Sequence, residues 1–582
     1  MTDPREAESQ NATTEIGNRH LSQTHDGALK NLQEVVDNWI VPFLREWFTA
    51  GPQPIVGDRE REAIQAWVQQ NQRQRQIPDG YEWLPEILVM LAGSMRFSRS
   101  NFVNIHPTPH LPAVLASTLV SIQNPNNIVE AVSRQTTHLE AKCVEWMSER
   151  LVGFNPTESW GNIVSGGTVA NITALLVARD YTYRKLARPR PAEVRTRGLY
   201  GLPPGVVITT RGSHYSVRKA LWFLGMGDEN VVSIPVAYDE TVAFQAKRDQ
   251  NFVRGITDPE WANLITRAID QDRNHGEQEL DRFYAGESRP FSLQPLTSEI
   301  FKALYGCFAY GTPLIAYVFT VGTTDTGTIE RPNAEALKRL EEEDVYVHAD
   351  AAAGGFALIH PRIRALVGGL EKVHSITMDG HKLGHLAYPN GAVLFRDHGW
   401  MYEILHEAPY LKHLAPTLEG SRPGSNIAAL WASIQDLNQS NRYIRWLDRL
   451  LLFVDRLVSE FEATKRFQVL HRVDLTTVAV APRPKAGETR TKLNQLVEEM
   501  QQRIENDASR DAFLVNLDRG LSGIKVRDSN RPVQSGSREA SATLVDVYCL
   551  RIVATNPAVE VEDASKLVAY LDRELAHARR RN

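Results

Sequence analysis

Between residues 160 and 400, short apolar runs alternate with longer stretches of helical spacing. Val206–Thr210, Ile315–Val321, Val345–Asp350, Ser375–Asp379 and Ala392–Arg396 read as strands. Most lack polar alternation, as expected of strands buried on both faces of a parallel sheet. Strand–helix alternation of this kind predicts a three-layer α/β domain with a mostly parallel central sheet. The stretch from about 240 to 300 is more polar and reads as a partly helical excursion from that sheet.

The flanks differ. Residues 1 to about 30 are polar and loosely attached in this reading, and helices follow over Leu32–Trp47 and Asp58–Gln72. Asn104–Pro112 holds three prolines and two histidines, so it is extended. Thr137–Glu140 fits a capping box, and Leu139, Cys143, Met147 and Leu151 then repeat every four residues as one buried helical stripe. Beyond 401, Ser425 suits the N-cap of a helix through Leu430 and Trp431. Lys485–Thr491 is a polar turn, Leu493, Leu496, Val497, Met500 and Ile504 have helical spacing, and Val545–Val553 reads as a strand. The expected division is a helical N-terminal segment over 1–130, a large α/β domain over 131–400 and a smaller α+β domain over 401–582.

Composition narrows the functional classes. Of 582 residues, 42% are hydrophobic and 23% charged, which is ordinary for a globular chain with a large core. A net charge of −5 argues against a general nucleic-acid surface. Arg579–Arg581 is the one basic cluster and reads as a solvated tail. Cys143, Cys307 and Cys549 are far apart in apolar surroundings, which suggests reduced, buried thiols in a reducing compartment. The N-terminus lacks a signal-like apolar core, and no run is long enough to span a membrane, so a cytoplasmic location is expected.

Four polar clusters fall at the ends of the predicted strands: His214, Thr323–Thr324, Asp350, and Asp379 with His381–Lys382. Open α/β sheets bind ligands along that edge. Lys382 sits between glycines after a strand. It is either a surface turn lysine or, in a dry pocket, an amine able to condense with carbonyls. Asp350 ends an apolar strand and precedes Ala351–Gly355, so it is a helix N-cap or a buried carboxylate that needs a cationic partner. Ser165-Gly-Gly-Thr168 precedes a helical run, where exposed N–H groups favour an anion. His214 could cap a helix or stack on a flat ring. No metal site is expected. His381 and His385 are separated by glycine, His106 and His110 bracket prolines, and there is no Cys-x-x-Cys pair.

In this order, the motifs resemble the group II pyridoxal phosphate-dependent amino acid decarboxylases, of the aspartate aminotransferase fold (fold type I). The likeness runs over about residues 100–435 and faintly over Leu550–Pro557. Some segments are similar to bacterial tyrosine decarboxylases. These are Leu119–Asn127, the His-Lys-x-Gly-x-x-x-Tyr pattern ending at Tyr388, and Leu418–Ser421 leading to Trp431. Tyr410–His413 resembles the aromatic amino acid enzymes.

The resemblance implies pyridoxal 5'-phosphate carried on Lys382, with Asp350 against the pyridine nitrogen and His214 stacked on the ring. Gly167, Thr168, Asp379 and His381 would hold the phosphate, with Thr323 and Ala352 also at the cofactor. Gly420 and Ser421 would reach the site of a neighbouring subunit in a homodimer. His106 falls where that family places a substrate-facing His-Pro, while the aromatic residues Phe102, Trp222 and Tyr388 either line the substrate pocket or belong to the core. The mobile-loop tyrosine of animal and plant aromatic decarboxylases has no counterpart between Tyr410 and Arg422, so Tyr388 is either the proton donor or a packing residue, with His214 the other donor candidate. The implied reaction is decarboxylation of an aromatic, tyrosine-like L-amino acid. The rival readings are a glutamate decarboxylase, a carbon–carbon lyase, an aldehyde synthase, or a non-catalytic binding protein.

Overall fold

The computed structural model describes residues 25–49, 58–78, 81–92, 100–186, 194–404, 416–507, 513–528 and 543–581. The chain splits into two compact units, Met1–Asn101 with Glu505–Leu514, and Phe102–Ile504 with Val515–Asn582. In the first unit, helices His25–Val35 and Val41–Thr49 are joined by a π-helical turn, Val36–Ile40, and helices Asp58–Gln74 and Leu84–Ala92 follow. Val35, Trp39 and Phe43 recur every four residues and pack with Val68, Leu84 and Leu88.

The second unit is built on a seven-stranded sheet. Its strands are β1 (Trp160–Val164), β2 (Val206–Thr210), β3 (Val231–Ile234), β4 (Leu314–Thr320), β5 (Val347–Ala351), β6 (Ser375–Asp379) and β7 (Gly391–Phe395). The order is β1-β7-β6-β5-β4-β2-β3. All neighbours from β6 to β3 are parallel, while β7 runs antiparallel to both β6 and β1. Every residue of β4, β5, β6 and β7 is buried, which explains why β4 and β7 are almost wholly apolar and why none of the four shows an exposed polar face. This is the fold type I architecture, with a mostly parallel central sheet. A smaller C-terminal sheet has the order β10-β13-β9-β8, with β8 (Phe467–Val469), β9 (Thr477–Pro482), β10 (Asn516–Asp518) and β13 (Cys549–Val553).

The helices that bear on the sheet edge are α1 (Leu111–Ser121), α2 (Gln135–Met147), α3 (Gly167–Leu186), α4 (Tyr215–Phe223), α5 (Gly424–Ser440) and α6 (Arg442–Thr464). Six readings of the sequence need correction. Helix α2 already begins at Gln135, so Thr137 lies inside it; Glu140 reaches the Ile163 N–H and Arg422 rather than closing a capping box. Pro423, not Ser425, is the N-cap residue of α5. Val545–Val553 is two strands, β12 (Leu544–Asp546) and β13, because β12 pairs with β11 (Lys525–Arg527) and not with the four-stranded sheet. The 240–300 region is more fully helical than expected, with Glu240–Arg254, Pro259–Tyr284 and the start of Thr297–Tyr310. The Arg579 guanidinium is 12% exposed on the final helix and bonds to the Arg483 carbonyl and Glu488, so it is not in a solvated tail. Finally, β1 and β3 went unread because both are short, and Gly161 and Asn162 interrupt the apolar pattern of β1. The three cysteines are buried free thiols. Among the described residues, no helix is long and apolar enough to cross a membrane.

Candidate active site

The C-terminal ends of β2, β5 and β6 and the start of α3 converge on one polar cluster. Asp350 lies on β5 with 2% exposure. Its Oδ2 accepts from Asn171 Nδ2 at 2.9 Å and its Oδ1 from the Ala352 N–H at 3.2 Å. Asp350 is therefore not a helix N-cap; a short 3₁₀ turn, Gly355–Ile359, follows β5. His348 stands two residues earlier on the same face of the strand. Its Nδ1 pairs with Ser375 Oγ at 2.7 Å and its Nε2 with Asn171 Oδ1 at 3.0 Å. Burial pushes His348 down to about 4, so the imidazole stays neutral.

His214 is both things the sequence allowed. It is the N-cap of α4, where Nδ1 accepts from the Ser216 N–H at 3.3 Å, and it faces the cluster. Burial holds it below its ordinary value, opposed by Asp350 and assisted by Lys382. A continuous chain of polar contacts joins it to Asp350: His214 Nδ1 to Ser216 Oγ at 2.8 Å, then Asn171 Nδ2 to Ser216 Oγ at 2.9 Å, then Asn171 to Asp350.

Lys382 follows β6, with its side chain 14% exposed and Nζ 3.2 Å from Asp379 Oδ2. His381 Nε2 lies 3.4 Å from the same oxygen, and its Nδ1 donates to the Asn390 carbonyl at 2.6 Å. Burial alone would raise the Asp379 carboxyl, but His381 and Lys382 outweigh it and hold it below the ordinary carboxylate value. The turn is tight. A Cβ on Gly384 would meet the Gly380 carbonyl oxygen at 2.5 Å, so only glycine fits. Tyr388 closes the turn, its ring 3.9 Å from that of His381 and 5.5 Å from that of His106.

Gly167 opens α3, whose first N–H groups have no intrahelical acceptor. A Cβ there would lie 2.9 Å from Asp379 Oδ2 and 3.1 Å from the Ala352 Cβ, which brings Gly167, Ala352 and Asp379 together. Thr168 is the next residue of the same turn. The Ser165 N–H is already taken by Glu419, at 3.1 and 3.3 Å. Ser421, two residues on, accepts from Asn126 Nδ2 at 2.9 Å. The Thr323 hydroxyl is engaged in its own turn, with the Thr328 N–H at 3.0 Å and the Thr326 hydroxyl at 2.8 Å.

Two aromatic candidates fall elsewhere. Phe102 is fully buried and stacks on Phe453 at 5.3 Å, so it is core and not substrate-facing. Trp222 is 66% exposed on α4. Tyr410–His413 lies outside the described residues. Asn171, Ser216 and His348 were missed. The signals available were a polar residue in the apolar run of α3 and a histidine sharing the strand face of Asp350; Ser216 gave none.

The family model described as "Pyridoxal-dependent decarboxylase conserved domain" matches residues 294–481, which include β4 to β7, Asp350 and Lys382. Over these residues the chain resembles the pyridoxal phosphate-dependent amino acid decarboxylases. It is 26% identical over 433 residues to the aspartate 1-decarboxylase of Aliivibrio fischeri, covering 69% of this chain and 67% of that protein. It is 30% identical over 309 residues to the probable L-tyrosine/L-aspartate decarboxylase of Methanopyrus kandleri, covering 52% of this chain and 60% of that one. The chain thus spans about three fifths to two thirds of the length of these relatives. The crystal structure of Oryza sativa TDC with PLP and tryptamine superposes with a TM-score of 0.67 at 18% identity, over 96% of this chain and 99% of that one, and shares the fold.

The residues of this cluster fit a pyridoxal phosphate cofactor. The buried Asp350 carboxylate receives only neutral donors, and no cation among the described residues pairs with it, which suits a protonated ring nitrogen. Asp379 Oδ1 is buried without a partner beside the glycine loop. The space at Gly167 is one that a Cβ would fill. Among the described residues, no group of three or more His, Cys, Asp or Glu is placed to hold a metal ion.

Proposed function

We propose that this chain decarboxylates an L-amino acid with an aromatic, tyrosine-like side chain, releasing the amine and carbon dioxide. The observation that carries the reading is the convergence of the Lys382 amine, the Asp350 carboxylate and the His214 imidazole at one sheet edge. When bound, the cofactor supplies an electron sink for the pair left on the alpha carbon as carbon dioxide departs. Lys382 Nζ would hold the cofactor covalently. Asp350 would keep the ring nitrogen protonated, with Asn171 fixing the carboxylate. His214 would pack against the ring. The first turn of α3, at Gly167 and Thr168, with His381, Asp379 and Ala352 beside it, would hold the phosphate. Thr323 would shape the site rather than bind the cofactor by hydrogen bonds, since its hydroxyl, backbone N–H and carbonyl are all used within its own turn. Tyr388 is the proton donor: burial and the nearby Asp379 raise its hydroxyl, so it retains its proton at neutral pH. His106 meets the Tyr388 ring edge-on and stands where a substrate side chain would lie.

The working unit in this proposal is a homodimer. Helix α1 has an apolar exposed face, with Leu111 at 72%, Leu115 at 58% and Leu119 at 57% exposure, and Ile122 just past its end is 79% exposed. A second copy is the proposed cover, with Gly420 and Ser421 near the shared boundary.

The test is carbon dioxide and amine release across the proteinogenic amino acids, with hydrogen peroxide and aldehyde measured in parallel. Tyrosine, or another aromatic acid, should be the best substrate. Aldehyde with peroxide would replace the reading by an aldehyde synthase. A second reading, an acidic substrate, is favoured by the likeness to the Aliivibrio fischeri aspartate 1-decarboxylase. Preference for aspartate or glutamate in the same assay would establish it. A chain that borohydride does not label at Lys382 in the presence of cofactor would be a non-catalytic binding protein.

A further inference from the structure

The turn that carries Lys382 and Tyr388 also holds His385, whose features the proposed reaction does not use. His385 adopts a left-handed backbone with φ of +58°, rare for a residue with a side chain. Such strain persists only where surrounding contacts fix it. Here they do. The His110 N–H donates to the His385 carbonyl at 2.7 Å, and the Tyr443 hydroxyl to the Leu383 carbonyl at 2.7 Å. The Trp446 ring meets the His385 ring edge-on at 3.9 Å.

The imidazoles of His385 and His110 form a pair. His385 Nε2 and His110 Nδ1 are both shielded from solvent, and neither has a hydrogen-bond partner. The other nitrogen of His110, Nε2, lies 3.2 Å from Asp436 Oδ2, and Arg442 lies 3.4 Å from the second Asp436 oxygen. Among the described residues, Asp436, Arg442 and Tyr443 are the other charged or titratable groups placed against the pair. Burial lowers both histidines, and His110 lowers His385 further. A charge on either ring is therefore resisted, and the pair is neutral at neutral pH.

The position of the pair gives it a task. His110 ends the segment that begins at His106, and His385 is the midpoint of the turn from Lys382 to Tyr388. We propose that His385 and His110 are positioning residues that lock the His106 segment onto the Lys382–Tyr388 turn, and so set Tyr388 against His106. The proposal rests on the decarboxylase reading for its kinetic consequence, but the lock itself is a property of the chain alone.

Two measurements test it. In the cofactor-free protein, hydrogen exchange of His385→Asn should accelerate in peptides covering 104–111 and 382–389 and stay unchanged elsewhere. Asparagine tolerates the left-handed backbone, so a change confined to those peptides reports the lost ring contacts. Unchanged exchange there, or a uniform rise across the molecule, would overturn the lock. In the loaded enzyme, His385→Asn should lower kcat by about tenfold or more with KM nearly constant. Added to Tyr388→Phe it should cause no further loss, because it acts through that hydroxyl. Additive losses would overturn the role. His110→Asn, which removes the partner ring and leaves the left-handed position untouched, serves if the His385→Asn chain does not fold, and carries the same expectations. A wild-type chain without decarboxylase activity would remove the proposed function and leave the exchange measurement to decide the lock.

Discussion

Asn171→Asp exchanges one nitrogen for oxygen at the centre of the polar chain beneath Asp350, with almost no change of shape. In the native chain Asn171 Nδ2 donates to Asp350 and to Ser216 from a buried site. The introduced carboxylate would sit at hydrogen-bond distance from Asp350, and two anions at that separation cannot both persist in a dry site. The cluster must take up one proton, on a carboxyl group or on His348. Unfolded, the new group loses its proton above about 3.9. Holding that proton at pH 7 therefore costs about 1.4 × 3.1, or roughly 4 kcal/mol. The sign follows from counting protons. The folded variant binds one more than the unfolded variant, so its deficit relative to wild type grows with pH. The deficit should be about 1.5 kcal/mol at pH 5 and about 4 kcal/mol at pH 7. Chemical denaturation of the cofactor-free proteins across that range measures it. A deficit of constant size would mean that the cluster gains no proton, and Asp350 would not be the buried anion proposed.

Three further outcomes follow from the geometry. Lys382→Ala should abolish turnover and borohydride labelling with cofactor present, while circular dichroism stays native; residual normal turnover would remove its assigned role. Phe102→Ala should cost about 3–5 kcal/mol of stability through the cavity left beside Phe453 and leave KM unchanged, as thermal denaturation and steady-state kinetics would show. His348, held near 4 in the fold against about 6.5 unfolded, withholds a proton that the unfolded chain accepts. Stability should fall by about 3 kcal/mol as pH drops from 6.5 towards 4, and the His348→Gln chain should show a flatter decline when unfolded by urea over that window.

The central strands were legible because burial on both faces leaves a nearly uninterrupted apolar run, as in β4 and β7. Lys382, Asp350 and His214 were legible because function places polar groups where strands stop. Asn171 was not, because a polar residue inside a helix carries no mark of the strand it will face; only the packing of α3 onto β5 assigns its partners. Phe102 misled for a related reason. An aromatic side chain can line a pocket or fill a core, and here the ring turns towards Phe453 on α6. The strand ends shifted by a residue or two, as at β5 and β7, where the limits depend on pairing rather than on side-chain type.

The lysine-bearing turn joins two adjacent antiparallel strands, β6 and β7, through residues 380–390, whereas β1 must find β7 across more than half of the sheet's sequence span. Short loops lose little entropy on closing, and local contacts form early. The segment that presents the amine should thus be able to assemble as a hairpin before the sheet edge is completed. Insertions there would be felt in folding rate as well as in turnover, whereas the long helical excursion after β3 could absorb added length with far less effect on either.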